Sequence, residues 1–399
     1  MTNREWTHKL IDHRIGVSDS CQFTASSASI SAADPDHGMI YTVYHASRIN
    51  YGECRNIVAM TKVPVGQPHR AETFLVAEEG DRICGEANTA LAKDGLPDGT
   101  VRVGEMLDAN CYYWHSDEYR TVKTHFGETG PVYHGFIRVL WLSYGEDYYY
   151  RDFDIEKQEF SEVRHLKCFL DGKVQNFTGE VFRRYLEENG LTGFDQEKSG
   201  WEHVILTDKF KLAPDGYRYA FATSCWSQPV FVRMKDGSDV LEFVGHIDVI
   251  GEYETQSALV GDTWYCLIRG VLEGPDFFTS KDGGRTWEPG CRLEFNTTRP
   301  QLMSYKGELL VAFSVVGILP NIVRDGRNNM RLLRGTGPDL AAYEEIFFVK
   351  DHRGMVYYDM TDWNGCIYCI YSASIYPDKN PQAKDILYFT EIGDLEYIE

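Results

Sequence analysis

His45 and Arg48 stand three residues apart in Tyr44-His45-Ala46-Ser47-Arg48, and Glu53 follows in Tyr51-Gly52-Glu53. A histidine titrates close to neutrality and can give or take a proton there, while a neighbouring guanidinium supplies positive charge for an anionic substrate. A hydrogen-bonded structural histidine is the alternative reading of His45. Cys366-Ile367-Tyr368-Cys369 has the C-x-x-C spelling of redox and zinc sites, yet it sits in the alternating run 365–371, where residues three apart point to opposite faces of a strand. These thiols are therefore expected in the core. No His/Asp/Glu cluster has metal-ligand spacing, so no metal or other cofactor is expected. Asn176-Phe177-Thr178 and Asn296-Thr297-Thr298 spell glycosylation acceptors, which matter only in a secreted chain.

The elements that must position such residues are strands. The chain has 399 residues with Tyr 25, Phe 21 and Trp 8, which suit half-buried pleated strands, and 36 glycines, which suit many turns. Periodic apolar runs continue from Phe23 to Phe389 with no linker or charge block between them, so residues 1–399 read as one all-β domain. Strand-turn-strand units recur at regular intervals. The first turns at Asp34-Pro35-Asp36-His37-Gly38 and the second, long one covers 86–163. The third turns at Pro214-Asp215-Gly216, and the last three cover 254–287, 299–348 and 355–389. Between the second and third, residues 179–190 have helical spacing and a glycine stop, which predicts a short inserted helix.

One turn is more specific than the rest. Ser280-Lys281-Asp282-Gly283-Gly284-Arg285-Thr286-Trp287 predicts a tight hairpin whose Ser and Asp side chains bond their own backbone and whose Trp covers it. The pattern S-x-D-x-G-x-T-W resembles the Asp-box of the sialidase (BNR-repeat) superfamily, and Lys235-Asp236-Gly237-Ser238 looks like a decayed copy. The resemblance implies a six-bladed β-propeller of four-stranded antiparallel blades, seven being the alternative count, with the box itself far from the chemistry. In that family the innermost strands carry an arginine triad for the substrate carboxylate and a tyrosine nucleophile activated by a glutamate. The stretch 253–270 looks like the family's glutamate strand followed by its arginine strand, which gives Glu254 and Arg269. Thr297-Thr298-Arg299 and Val356-Tyr357-Tyr358 resemble the strands bearing a second arginine and the tyrosine, which gives Arg299 and Tyr357, with Tyr358 as its rival. Paired guanidiniums would grip a carboxylate bidentately, and a tyrosine needs a carboxylate beside it because its ordinary pKa is about 10. The family's Arg-Ile-Pro signature is missing: the corresponding Phe23-Thr24-Ala25-Ser26-Ser27-Ala28 has no arginine.

The resemblance implies a sialidase-like, exo-acting glycoside hydrolase on an acidic or deoxy sugar at the non-reducing end of an oligosaccharide. It would work with retention through a Tyr357 adduct, with Glu254 as base and His45 or Glu53 as general acid; Arg48, Arg269, Arg299 and Glu53 would bind the substrate. Uronate lyases of the same superfamily set the first alternative, β-elimination with His45 as base, and a non-catalytic glycan-binding propeller is the second. The net charge of −20, with no basic cluster, argues against nucleic acid as partner. No apolar run is long enough to span a bilayer, and Met1-Thr2-Asn3-Arg4-Glu5-Trp6 has no signal-peptide core. A cytoplasmic location with all ten cysteines unpaired is the expectation.

Overall fold

Six sheets account for most of the described chain. The computed structural model describes residues 12–15, 24–47, 57–77, 127–133, 136–142, 147–191, 204–206, 208–224, 228–249, 255–269, 276–292, 297–315, 329–335, 343–350, 355–375 and 384–393. In the first blade Thr24–Asp34, Met39–Ser47, Ile57–Pro64 and Glu72–Ala77 lie side by side in chain order. The fourth blade repeats this with Thr255–Val260, Thr263–Ile268, Asp276–Ser280 and Glu288–Arg292, and the fifth with Thr297–Tyr305, Glu308–Val315, Asn329–Gly335 and Tyr343–Lys350. The sixth contains Met355–Trp363, Cys366–Ile375 and Lys384–Gly393, and its fourth strand comes from the other end of the chain: Asp12–Ile15 pairs Asp12 with Thr390 and Ile15 with Leu387.

The apolar residues show why these sheets form a ring. Strand side chains alternate between two faces, and in Met39–Ser47 Tyr41 and Val43 pack against Ile137, Val139 and Phe153 of blade two. Ile40 and Tyr44, on the other face, pack against Ile370, Leu387 and Phe389 of blade six. The same split holds all the way round. Six hydrophobic clusters join blades one to two, two to three, three to four, four to five, five to six and six to one. The cluster between blades one and two alone buries nine side chains, each worth about 1.5–3 kcal/mol when fully buried against about 1 kcal/mol for a hydrogen bond. Apolar contact between blades, more than any ladder, therefore holds the ring together.

Two blades depart from the four-strand expectation. The outer strand of blade two, beyond Gly127–Tyr133, Phe136–Leu142 and Tyr148–Asp154, is broken into Glu159–Phe160 and Arg164–His165. Blade three is widened: its core of Tyr217–Ser224, Val230–Lys235 and Val240–His246 gains the hairpin Lys167–Leu170 and Lys173–Asn176, which joins in parallel at Lys167 opposite Val240. Its innermost strand is split into Val204–Ile205 and Lys211–Leu212, both paired to Tyr217–Ser224.

The inserted helix α1, Gly179–Glu188, forms as its spacing predicts. Thr178 caps it by accepting from the Val181 N–H at 3.2 Å, and Gly190, at φ +68°, ends it. Phe182 and Leu186, four apart on one face, fill the gap between blades two and three. No helix among the described residues is long and apolar enough to cross a membrane.

The Asp-box forms the expected hairpin between the third and fourth strands of blade four. Asp282 accepts from the Arg285 and Thr286 N–H groups at 3.0 Å each and from the Thr286 hydroxyl at 2.6 Å. The Thr286 hydroxyl first, then these amides, hold its carboxyl down at about 2. Trp287 does more than cover its own turn. It donates to the Gly284 carbonyl at 3.1 Å, and its ring lies 5.3 Å from Phe221 and 5.3 Å from Phe231 of blade three. Gly284, at φ +86°, is pressed so close that an added Cβ would sit 2.1 Å from Phe231. Trp287 thus acts as a clasp between two blades. Lys235-Asp236-Gly237-Ser238 occupies the same hairpin position in blade three, but Asp236 pairs with Arg218 at 2.6 Å and leaves the turn amides alone.

The five cysteines within the described residues, Cys168, Cys266, Cys291, Cys366 and Cys369, are thiols. Burial pushes Cys168 up to about 12 and Cys266 well above its ordinary value, so both are poor nucleophiles. Cys369 faces the cluster between blades five and six and Cys366 the one between six and one, so the C-x-x-C spelling carries no shared site.

Candidate functional site

Each blade runs from its innermost strand outward, so closure into a ring puts the starts of the innermost strands at one end of the channel, together with the ends of the second strands. Four of the residues singled out by sequence have their backbones at that end. His45 lies near the end of the second strand of blade one, opposite Ser26. Arg269 follows the second strand of blade four, whose last residue Ile268 pairs with Thr255, and its side chain is half-buried. Arg299 and Tyr357 lie near the starts of the innermost strands of blades five and six. Glu254, Arg48 and Glu53 lie outside the described residues. The Asp-box is at the opposite end, because Ser280 pairs with Trp264 whereas Asp276 pairs with Ile268.

Three of the innermost strands are irregular where these residues occur. Their ladders shift register between Ser26 and Ile30, between Thr298 and Gln301, and between Met355 and Tyr357. In blade five the cause is visible in the sequence: Pro300 has no N–H to give, so pairing breaks at Arg299-Pro300. Bulges re-aim side chains and are frequent beside active sites. Asp276 lies at the same end, one pairing position from Arg269, and burial pushes its carboxyl up. The motif reading missed this acid because nothing in Pro275-Asp276-Phe277 marks it.

Deeper in the channel lies a polar relay that sequence reasoning also missed. The free edge of an innermost strand needs partners for its N–H groups, and a side chain from the preceding blade supplies them. Asp208 of blade three accepts from the Ser257 N–H of blade four at 3.0 Å and from its hydroxyl at 2.5 Å. It also accepts from the Phe221 N–H at 3.1 Å, filling the gap where the split strand leaves its ladder. Gln301 of blade five accepts from the Met360 N–H at 2.8 Å and donates to Asp359 at 2.8 Å. Asp359 of blade six in turn accepts from the Ser31 N–H of blade one at 2.7 Å and from the Ser31 hydroxyl. Both aspartates are fully buried, and each has a lysine: Lys211 pairs with Asp208, and Lys209 with Asp359 at 2.6 Å. Lys209 also donates to the Met360 carbonyl at 2.6 Å, so one side chain of blade three bridges the channel to blade six. Burial pushes the Asp208 carboxyl up and the Lys211 ammonium down.

The relay ties the strands of the candidate site to one another. Gln301 lies two residues beyond Arg299 and Asp359 two beyond Tyr357, each the fifth residue of its strand. No group of three or more His, Cys, Asp or Glu among the described residues is placed to hold a metal ion.

No protein-family model and no curated protein sequence matches the chain. Solved structures do. Trypanosoma rangeli sialidase in complex with sialic acid is similar at a TM-score of 0.58 and 10% identity, over 95% of this chain and 57% of that one. The Hadza microbial sialidase Hz136 gives 0.56 and 11%, over 91% and 65%. A protein of unknown function from Dyadobacter fermentans gives 0.55 and 12%, over 96% and 98%. The chain spans little more than half the length of the Trypanosoma rangeli enzyme, and at these identities the likeness is one of fold: a sialidase-like β-propeller.

Proposed function

We propose that the protein is an exo-acting glycoside hydrolase that removes an acidic or deoxy sugar from the non-reducing end of an oligosaccharide. The observation that supports this reading is that the backbones of His45, Arg269, Arg299 and Tyr357, from four different blades, lie at one end of the channel of a sialidase-like fold. In this reading Arg269 and Arg299 hold the substrate carboxylate, and Tyr357 attacks the anomeric carbon after Glu254 takes its proton. A carboxylic acid or imidazolium then protonates the leaving oxygen, with Asp276 joining His45 and Glu53 as candidates because burial pushes its carboxyl up.

A second reading rests on one pairing. His45 stands opposite Ser26, within the segment that has no arginine where the family signature has one. With the arginines neutralising a uronate carboxylate, His45 would take the α-proton and a glycosidic oxygen would leave by β-elimination. A screen of reducing-end-labelled acidic oligosaccharides separates the two, because hydrolysis adds the mass of water and elimination creates an ultraviolet chromophore.

Substitutions then test the roles. Tyr357→Phe is expected to abolish turnover while leaving affinity within a few-fold, since only a hydroxyl is lost. Arg269→Ala is expected to weaken binding by roughly 2–5 kcal/mol if the charge pair is desolvated. Near-normal turnover in Tyr357→Phe together with loss in His45→Ala moves the assignment to the lyase. Indifference of every acidic glycan to both substitutions leaves a binding propeller.

A further inference from the structure

The far half of the channel is a cavity of about 350 Å³, within the size range of small-molecule pockets. It is lined by the second halves of the innermost strands of blades five and six, residues 301–304 and 359–362, and so lies toward the end opposite the starts where Arg299 and Tyr357 are found. We propose that this cavity is a separate binding site for a small organic carboxylate, received by Lys209 and Lys211.

Lys209 and Lys211 both line the cavity, two residues apart, with side chains 24% and 19% exposed. Their partners Asp359 and Asp208 are 0% exposed behind them, each committed to N–H groups of neighbouring strands. Asp359 belongs to the lining as well, but both carboxylates are fully covered while the two lysine side chains are partly exposed, so the cationic member of each pair is the accessible one. Donor capacity remains. Lys211 has Asp208 and the Ser257 hydroxyl, at 3.2 Å, as acceptors for three N–H bonds, and the third contact of Lys209, to the Ser31 hydroxyl, is long at 3.4 Å. Burial and the charge of Lys209 both push the Lys211 ammonium down, a cost that an arriving anion relieves.

The remaining walls fit a carbon skeleton bearing the carboxylate. Leu302 is buried, Leu259 and Met303 are half-buried and Leu212 is 51% exposed, while Ser304 is an exposed polar residue of the lining. Asp362 is the one further acid of the lining, and it already accepts from the Gly365 N–H at 2.8 Å. Taking roughly 30 Å³ per water-sized group, the space holds about a dozen such groups, the size of a short hydroxy acid or sugar acid.

The test is calorimetric titration of the full chain with sodium gluconate, against sodium chloride at equal ionic strength, in wild type, Lys211→Met, Ser304→Trp and Arg269→Ala. Gluconate is expected to bind wild type and Arg269→Ala with affinities equal within about twofold, and to lose about tenfold or more in Lys211→Met and Ser304→Trp. Lys211→Met leaves Asp208 buried without its cation and risks misfolding; Ser304→Trp touches neither ion pair and decides the matter by itself. Absence of binding to wild type overturns the proposal. So does binding that Arg269→Ala weakens and Ser304→Trp leaves alone, a result that places the carboxylate at the other end of the channel.

Discussion

Asp282, Asp208 and Asp359 show one residue type held in opposite electrostatic settings. Asp282 sits at a turn with its acceptors filled, its carboxyl near 2, well below the ordinary 3.8. A folded-state value below the unfolded one contributes stability that is present above about pH 4 and is lost as the pH falls through about 2. Asp282→Ala is therefore expected to cost about 1–2 kcal/mol at pH 7, with the gap in urea midpoints closing toward pH 2; a gap that stays constant would mean the charge is not what holds the turn. Asp359 is different because its removal strands a cation. Asp359→Ala leaves Lys209 and the Ser31 N–H without their acceptor and is expected to cost about 3–5 kcal/mol, while adding Lys209→Met should recover part of that. A double-mutant cycle read by chemical unfolding gives the coupling directly.

At the scale of the element, the Asp-box hairpin separates local strain from contact between blades. Gly283 and Gly284 both have positive φ, +77° and +86°, but an added Cβ meets nothing within 4 Å at Gly283 and meets Phe231 at 2.1 Å at Gly284. Gly283→Ala is expected to cost about 1 kcal/mol through backbone strain, and Gly284→Ala about 1–3 kcal/mol more through the displaced ring. Equal thermal midpoints for the two variants would mean that the clasp onto blade three contributes little. The hairpin, the helix at 179–188 and most strands were legible in the sequence because their signals are local: turn residues at fixed offsets, a cap, a period of two or of 3.6. The polar relay was not legible. Asp359 and Ser31 are 328 positions apart and Gln301 and Met360 59 apart, and no periodicity marks which acid on an apolar strand will answer a neighbour's N–H. The split strand around Asp208 was hidden for the same reason. The candidate residues at the other end came through family likeness of short segments, which places backbones and leaves side-chain geometry open.

For the whole molecule, six interfaces of similar make-up form a ring in which every blade has two neighbours. The ring is closed twice between its last blade and its first: by Asp12–Ile15 along the outer edge of blade six, and by Asp359 on Ser31 at the channel. Deleting residues 1–15 is expected to uncover the edge from Leu387 to Thr390, lower the thermal midpoint and promote association, since an exposed strand edge is a template for pairing. Calorimetry with size-exclusion chromatography checks this, and a deletion variant that stays monomeric with an unchanged midpoint would show the outer closure to be dispensable.

That closure also sets a clock on the ribosome. Asp12–Ile15 emerges roughly 370 residues before its partner Lys384–Gly393, an interval on the order of 20–70 s at ordinary elongation rates. Over that interval the nascent chain holds a strand with no mate and an unfilled seat beside blade one. A ring built this way closes only once its sixth blade has been made, and it is in this waiting period that a chaperone has most to protect.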